Sequence, residues 1–210
     1  MSNYVEYPAY WIYNNNVMII KAGFNENIKS LIIKSNIMSI IFTDYVMIKD
    51  IIENINNVKI NKKKSSKFNK SVNNLPQSLQ NLTFGYYFNQ SVDNLPINLI
   101  NLVFDCKFNN NVDNLPFTLL NITFGISFNK SVDNLPNSII TLSFDTKCIF
   151  NFELNCLPKS ICEIKLPINY NNEIKVIYSN LKKIVCSSSY HYIDKFNKID
   201  NIFIDKINKN

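Results

Sequence analysis

Arginine is absent from this 210-residue chain, which also has one histidine, one tryptophan and three glycines. Each scarcity removes a class of chemistry. Without arginine there is no bidentate fork for phosphate or carboxylate. The net charge of +6 is carried entirely by lysine, and the lysines are spread among Asp and Glu. That pattern gives no basic stripe for a duplex, so no nucleic-acid partner is expected. Three glycines supply no Gly-rich phosphate loop. His191, the single histidine, lies near no partner pattern, so no Ser-His-Asp or Cys-His arrangement can be assembled. The five cysteines form no C-x-x-C pair. Cys148, Cys156 and Cys162 are close in sequence, but zinc sites want tighter pairs and a fourth ligand. A run of about 18 apolar residues is also missing, so no membrane span is expected. Met1–Glu6 lacks the basic stretch and apolar core of a signal peptide. Reduced thiols in a cytoplasmic setting follow. The expectation is a protein that is not an enzyme, with no catalytic set, no metal and no cofactor.

What the chain has in abundance is one unit. Phe68 to Lys147 reads FNKSVNNLPQSLQNLTFGYY, FNQSVDNLPINLINLVFDCK, FNNNVDNLPFTLLNITFGIS and FNKSVDNLPNSIITLSFDTK, four copies of 20 residues without a gap. A fixed period this short marks a solenoid, in which each unit stacks on its neighbours. After Phe88 the apolar residues are Val92, Leu95, Leu99, Leu102 and Phe104. Their spacing fits no helix, and only the last pair alternates as a strand does. The unit therefore predicts one short parallel strand: Leu82–Phe84, Leu102–Phe104, Ile122–Phe124 and Leu142–Phe144. Pro76, Pro96, Pro116 and Pro136 lack an amide hydrogen, so each Leu-Pro segment is expected in an extended back wall on an irregular convex side. Phe88, Phe108 and Phe128 are expected to form a buried stack. Asn69, Asn89, Asn109 and Asn129 follow the unit's Phe, and Asn74, Asn94, Asn114 and Asn134 precede Leu-Pro. Asparagine both donates and accepts, so the first column reads as a ladder bonding rung to rung. The competing reading is the compositional bias of a chain rich in Asn, Ile and Lys.

The pattern F-N-x-x-V-x-N-L-P-x-x-L-x-x-L-x-F-G resembles the FNIP repeat, a relative of the leucine-rich repeat known mainly from amoebae and from large DNA viruses that infect them. It is also similar to the short leucine-rich repeats of secreted bacterial effectors. The resemblance implies a leucine-rich-repeat-like curved repeat solenoid that binds protein and performs no chemistry. It would work in a cytoplasm, that of the host if the protein is viral. FNIP arrays often follow an F-box, which implies a second reading as the substrate-recognition subunit of a ubiquitin ligase. No F-box is visible in this chain.

The flanks carry the template in weaker form. From Asp44 the five apolar positions hold Ile48, Ile51, Ile55, Val58 and Ile60. From Phe24 four of five fit, and Phe24-Asn25 repeats the Phe-Asn pair; from Tyr4 three fit, ending on Met18 and Ile20. Met18-x-Ile20, Met38-x-Ile40 and Val58-x-Ile60 then become strands 20 residues apart. A helix over Val46–Asn56 suits the same residues. Asn61–Lys67 reads as a four-residue surplus in a turn, either a solvated basic loop or a contact for a polyanion or a nuclear signal. Beyond Lys147 the template holds from Phe150 and drifts from Tyr170. The expected organisation is degenerate repeats and cap over 1–67, four regular repeats over 68–147, degenerate repeats over 148–189 and a cap over 190–210. Phe196, Ile199, Ile202 and Ile204 would cover the last rung.

Alternation assigns the residues that face outward from the strands. The candidate partner-binding set is Asn81 and Thr83; Asn101, Val103 and Asp105; Asn121 and Thr123; and Thr141, Ser143 and Asp145. Gly85 and Gly125 alternate with the two aspartates. Those carboxylates are two rungs apart, roughly 10 Å along the backbone, too far to share one metal ion. A monomer that binds an unknown protein partner, with no membrane contact, is the expectation.

Overall fold

In the computed structural model the described residues are 4–7, 9–13, 16–28, 36–42, 65–197 and 202–208. Among them, eleven strands form one sheet in chain order. They are β1 (Tyr4–Glu6), β2 (Tyr10–Tyr13), β3 (Val17–Ile20), β4 (Ser39–Phe42), β5 (Asn81–Thr83), β6 (Asn101–Val103), β7 (Asn121–Phe124), β8 (Thr141–Phe144), β9 (Glu163–Lys165), β10 (Lys183–Ser187) and β11 (Phe203–Ile207). From β3 to β11 every neighbouring pair is parallel. The chain is a parallel solenoid with a repeat of ~20 residues, the spacing of hydrogen-bonded neighbours such as Asn89 and Asn69.

The unit explains its own rung. In β5 to β8 the strand begins one residue before the expected Leu or Ile, and β5 and β6 end before their Phe. Leu82, Leu102, Ile122 and Leu142 point inward and are buried, as are Phe84, Phe104, Phe124 and Phe144. The chain then turns tightly, and the next unit's Phe folds back beneath the strand's Phe. Phe84 lies on Phe88 with ring centroids 3.6 Å apart, and Phe104 lies on Phe108 at the same separation. The stack expected of Phe88, Phe108 and Phe128 is present, with centroids 6.1 Å apart and near-parallel planes. It extends from Phe24 through Phe68, and onward through Phe150 and Tyr170 to Tyr190. Burying each such ring contributes on the order of 2 kcal/mol. On the far side each proline opens a turn: the amides of Leu79, Leu99, Leu119 and Ile139 donate to the carbonyls of Pro76, Pro96, Pro116 and Pro136 at 3.1–3.2 Å. Proline fits there because its own missing amide is not required.

Asparagine completes the rung. The backbone amides of Asn69, Asn89, Asn109 and Asn129 donate to Oδ1 of Asn25, Asn69, Asn89 and Asn109 at 2.9–3.0 Å. Asn151 continues the ladder onto Asn129 at 3.2 Å. This is a structural column, as its recurrence predicts, and it reaches one rung further at each end than the regular units do.

The N-terminal register differs from expectation. Met18 pairs with Ile40, not with Met38, and Ile40 pairs with Leu82. β4 pairs directly with β5, where the strand Val58-x-Ile60 was expected to intervene. Those residues, the Val46–Asn56 segment and Lys62–Lys64 lie outside the described residues. Phe42 stacks on Phe68 at 4.1 Å in the way Phe84 stacks on Phe88. The unit read from Tyr4 is also replaced: β1 and β2 form an antiparallel hairpin, and β2 runs antiparallel to β3. Turning the chain back covers the first parallel rung, and Tyr10 and Ile12 of β2 are buried there.

At the other end, β9 follows the template from Phe150, and Leu154, Leu157, Ile161, Ile164 and Leu166 are all buried. The unit from Tyr170 departs from it at one place. Ile177, which matches the buried Leu95 and Leu157 of other units in its place after the unit's first aromatic residue, is 45% exposed, and Tyr178 is buried in its stead. The Tyr178 hydroxyl donates to the Leu154 carbonyl at 2.7 Å and accepts from the Leu157 amide at 3.0 Å. The segment 190–210, expected as a cap, still adds a rung in register, because Ile204 of β11 pairs with Ile184 of β10. Between them, α1 (Ile193–Asn197) buries Phe196. Lys195 of α1 holds the preceding turn, donating to the carbonyls of Ile174 and Lys175 at 2.9 and 3.0 Å. Ile202 and Ile204 pack against the core as expected, while Ile199 lies outside the described residues.

Candidate functional site: the outer sheet face

Alternation along β5 to β8 turns one side chain in two away from the core. Asn81, Thr83, Asn101, Val103, Asn121, Thr123, Thr141 and Ser143 are all half-buried on that outer face. The register aligns them into two columns. One runs Ser39, Asn81, Asn101, Asn121, Thr141, and the other runs Ile41, Thr83, Val103, Thr123, Ser143.

The first column is not a row of free amides. Nδ2 of Asn121 donates to Oδ1 of Asn101 at 2.7 Å, Nδ2 of Asn101 to Oδ1 of Asn81 at 2.6 Å, and Nδ2 of Asn81 to the Ser39 hydroxyl at 3.0 Å. These asparagines, expected to face a partner, also form a second amide ladder that ties the strands together. The signal was available: the same residue recurring in register with 20-residue spacing, as for Asn69 and Asn89. The second column is open. Among the described residues the hydroxyls of Thr83, Thr123 and Ser143 have no hydrogen-bond partner within the chain.

Asp105 and Asp145 lie beyond the strand ends, in the turns. The Asp145 carboxylate accepts the amide of Lys147 at 2.8 Å, which shapes its own turn. Gly85 and Gly125 are buried and do not line the face. A side chain at Gly125 would run into the backbone carbonyl of Asp105, which accounts for glycine on that rung.

Toward the C-terminal end, charge enters the first column at β9. Glu163 and Lys183 take the next two places in the first column and pair at 3.0 Å, about a third exposed. Such a pair contributes at most ~1 kcal/mol. From β4 to β8 both columns are uncharged. Beside them, just ahead of the strands, an open groove of about 750 Å³ crosses the same rungs, with Met38, Gln80, Ile100 and Leu120 along its floor. It arises where the proline turn meets the strand, and its uncharged lining gave no signal in the sequence. The Ser78 and Ser138 hydroxyls in its wall donate to the carbonyls of Ile37 and Leu119.

The remaining candidates for chemistry are dispersed. All five cysteines are free thiols. Burial pushes Cys148 and Cys186 up to about 11, which keeps them protonated and inert as nucleophiles. His191 sits exposed in the turn before α1. Among the described residues no three His, Cys, Asp or Glu side chains converge on a site that could hold a metal. No helix there is long and apolar enough to cross a membrane.

Comparison with known proteins agrees with this geometry. Residues 68–107 match the family model described as FNIP Repeat. The fold is similar to the crystal structure of CroV588, described as a novel circular LRR protein, with a TM-score of 0.65 and 25% sequence identity over 85% of this chain. The present chain spans 25% of the length of that protein. No curated protein matches the chain. Residues 68–107 are thus FNIP repeats, set in a longer leucine-rich-repeat-like solenoid that carries the same rung to either side.

Proposed function

We propose that this chain is a non-enzymatic repeat scaffold that binds a protein partner across the outer face of β4 to β8. The observation that carries the reading is the pairing of a locked amide ladder with an open hydroxyl column. Asn81, Asn101 and Asn121 are held rung to rung at 2.6–3.0 Å, so the face is stiff. Thr83, Thr123 and Ser143 offer hydrogen bonds at fixed intervals, with Val103 as an apolar point between them. A preorganised surface loses little side-chain entropy on binding. An uncharged one selects a partner by hydrogen-bond match and shape, and disfavours phosphate-rich or lipid surfaces. Repeat solenoids of this kind commonly serve as interaction scaffolds. Five reduced thiols suit a cytoplasmic location.

The test uses the full chain immobilised in lysate from its cell of origin. Parent protein is compared with Val103→Glu and Thr123→Glu, both changed at outward positions. The reading expects the same circular dichroism and melting for all three, with partners recovered by the parent lost from both variants. Retention of those partners by the variants contradicts it. Partner binding that persists as salt rises also separates this reading from phosphate recognition, which weakens steeply.

A further inference from the structure

The C-terminal edge of the sheet carries an instruction of its own. Among the described residues β11 is the last strand of the sheet, and no strand lies against its far side. The ladder with β10 fixes which groups face that side. The amide of Phe203 donates to the carbonyl of Lys182 at 2.8 Å, and the carbonyl of Ile207 accepts the amide of Ser188 at 3.0 Å. Alternate residues of a parallel strand turn both backbone groups the same way. Phe203, Asp205 and Ile207 therefore bond to β10, while Ile204 and Lys206 direct their amides and carbonyls outward. An edge of this kind templates another extended chain. Phe203, 63% exposed on the same strand, adds apolar surface.

A second copy of β11 fits that edge. Laid antiparallel and centred on Asp205, two such strands set Ile204 of each opposite Lys206 of the other. Those are the residues with outward backbone groups, so the two can exchange hydrogen bonds in both directions. A two-fold pairing of one surface with itself is the commonest homo-oligomeric arrangement. Two side chains act against it. Lys206 is in register with Cys186, a buried core position of β10, so its ammonium occupies a place that pairing would bury. Asp205 would face the same carboxylate of the second copy, and like charges directly opposite are destabilising.

We infer that β11 is a self-pairing edge held closed by Asp205 and Lys206, so that the chain stays monomeric and dimerises through this strand once both are neutralised. Sedimentation equilibrium of the full chain across a concentration series tests it. The parent is expected at monomer mass, and the Asp205→Asn, Lys206→Leu double variant at twice that mass. Asp205→Asn with Lys206→Pro has the same charge but lacks the outward amide. Because residue 206 makes no bond to β10, this variant is expected to melt with the Leu variant's monomer and remain at monomer mass. A dimeric parent, a monomeric Leu variant, a dimeric Pro variant or a Pro variant that fails to fold each overturns the assignment.

Discussion

Phe108 shows how one residue serves two units. Its ring lies 3.6 Å from Phe104 of the strand before it and 6.1 Å from both Phe88 and Phe128. It is fully buried. Truncation to alanine removes three ring contacts and leaves a void that the stacked neighbours cannot all fill. Phe108→Ala is expected to lower stability by ~3–5 kcal/mol, read by urea unfolding. A loss below ~1 kcal/mol would place the ring at the surface. Tyr178 presents the same logic with a polar tip. Its ring takes the core place that Ile177 vacates, and its hydroxyl satisfies both the Leu154 carbonyl and the Leu157 amide. Tyr178→Phe keeps the ring and strands two buried backbone groups, an expected loss of about 1–3 kcal/mol. An unchanged urea midpoint would mean that water or another group meets them.

At the scale of the strand, legibility followed repetition. β5 to β8 could be placed from sequence because each position recurs four times in step, so alternation, proline and asparagine all agree. The outward residues were legible for the same reason. The 20-residue recurrence of Asn81, Asn101 and Asn121 hints at a ladder, but that their side chains turn along the solenoid axis toward each other is a matter of conformation that the sequence does not carry. The N-terminal rungs misled for a compositional reason. A chain rich in isoleucine fills five apolar positions from Asp44 by composition alone, yet β4 pairs directly with β5, and the register is set by scarcer markers. Phe24 stacks toward Phe68, and Oδ1 of Asn25 accepts from Asn69, 44 residues on. Weighting the Phe-Asn pair above apolar spacing finds this join. Tyr178 stands at the unit's proline position, where its carbonyl still accepts the amide of Leu181; the bonds of its hydroxyl to the preceding rung have no counterpart in the proline units and so no repeat to reveal them.

At the scale of the molecule, the stack behaves as one object because each rung is buried only by its neighbours. Its pH response follows from the groups inside it. Burial raises Cys148 and Cys186 from an ordinary 9.0 to about 11, and it also raises Tyr170, Tyr178 and Tyr190 above 10.0. A raised acid is neutral in the folded chain while the unfolded chain has already released the proton. Stability is therefore complete below pH 9.0 and falls as pH rises through 9.0 to about 11 for the thiols, with the phenols adding to the loss above 10.0. Urea midpoints measured on either side of that window check it, and Cys148→Ala should flatten the decline. The central claim is continuity: β4 joins β5 directly, so the hairpin end and the FNIP units share one sheet. Ile41 and Thr83 are cross-strand partners on the outer face. Their Cα atoms should lie ~5 Å apart, within disulfide reach, whereas a rung between them would set them ~10 Å apart and out of reach. In a background with Cys106, Cys148, Cys156, Cys162 and Cys186 replaced, Ile41→Cys with Thr83→Cys is oxidised in the folded state and mapped by mass spectrometry. Rapid, near-complete formation of that one crosslink is the predicted result; no crosslink from a chain that folds normally would contradict the account.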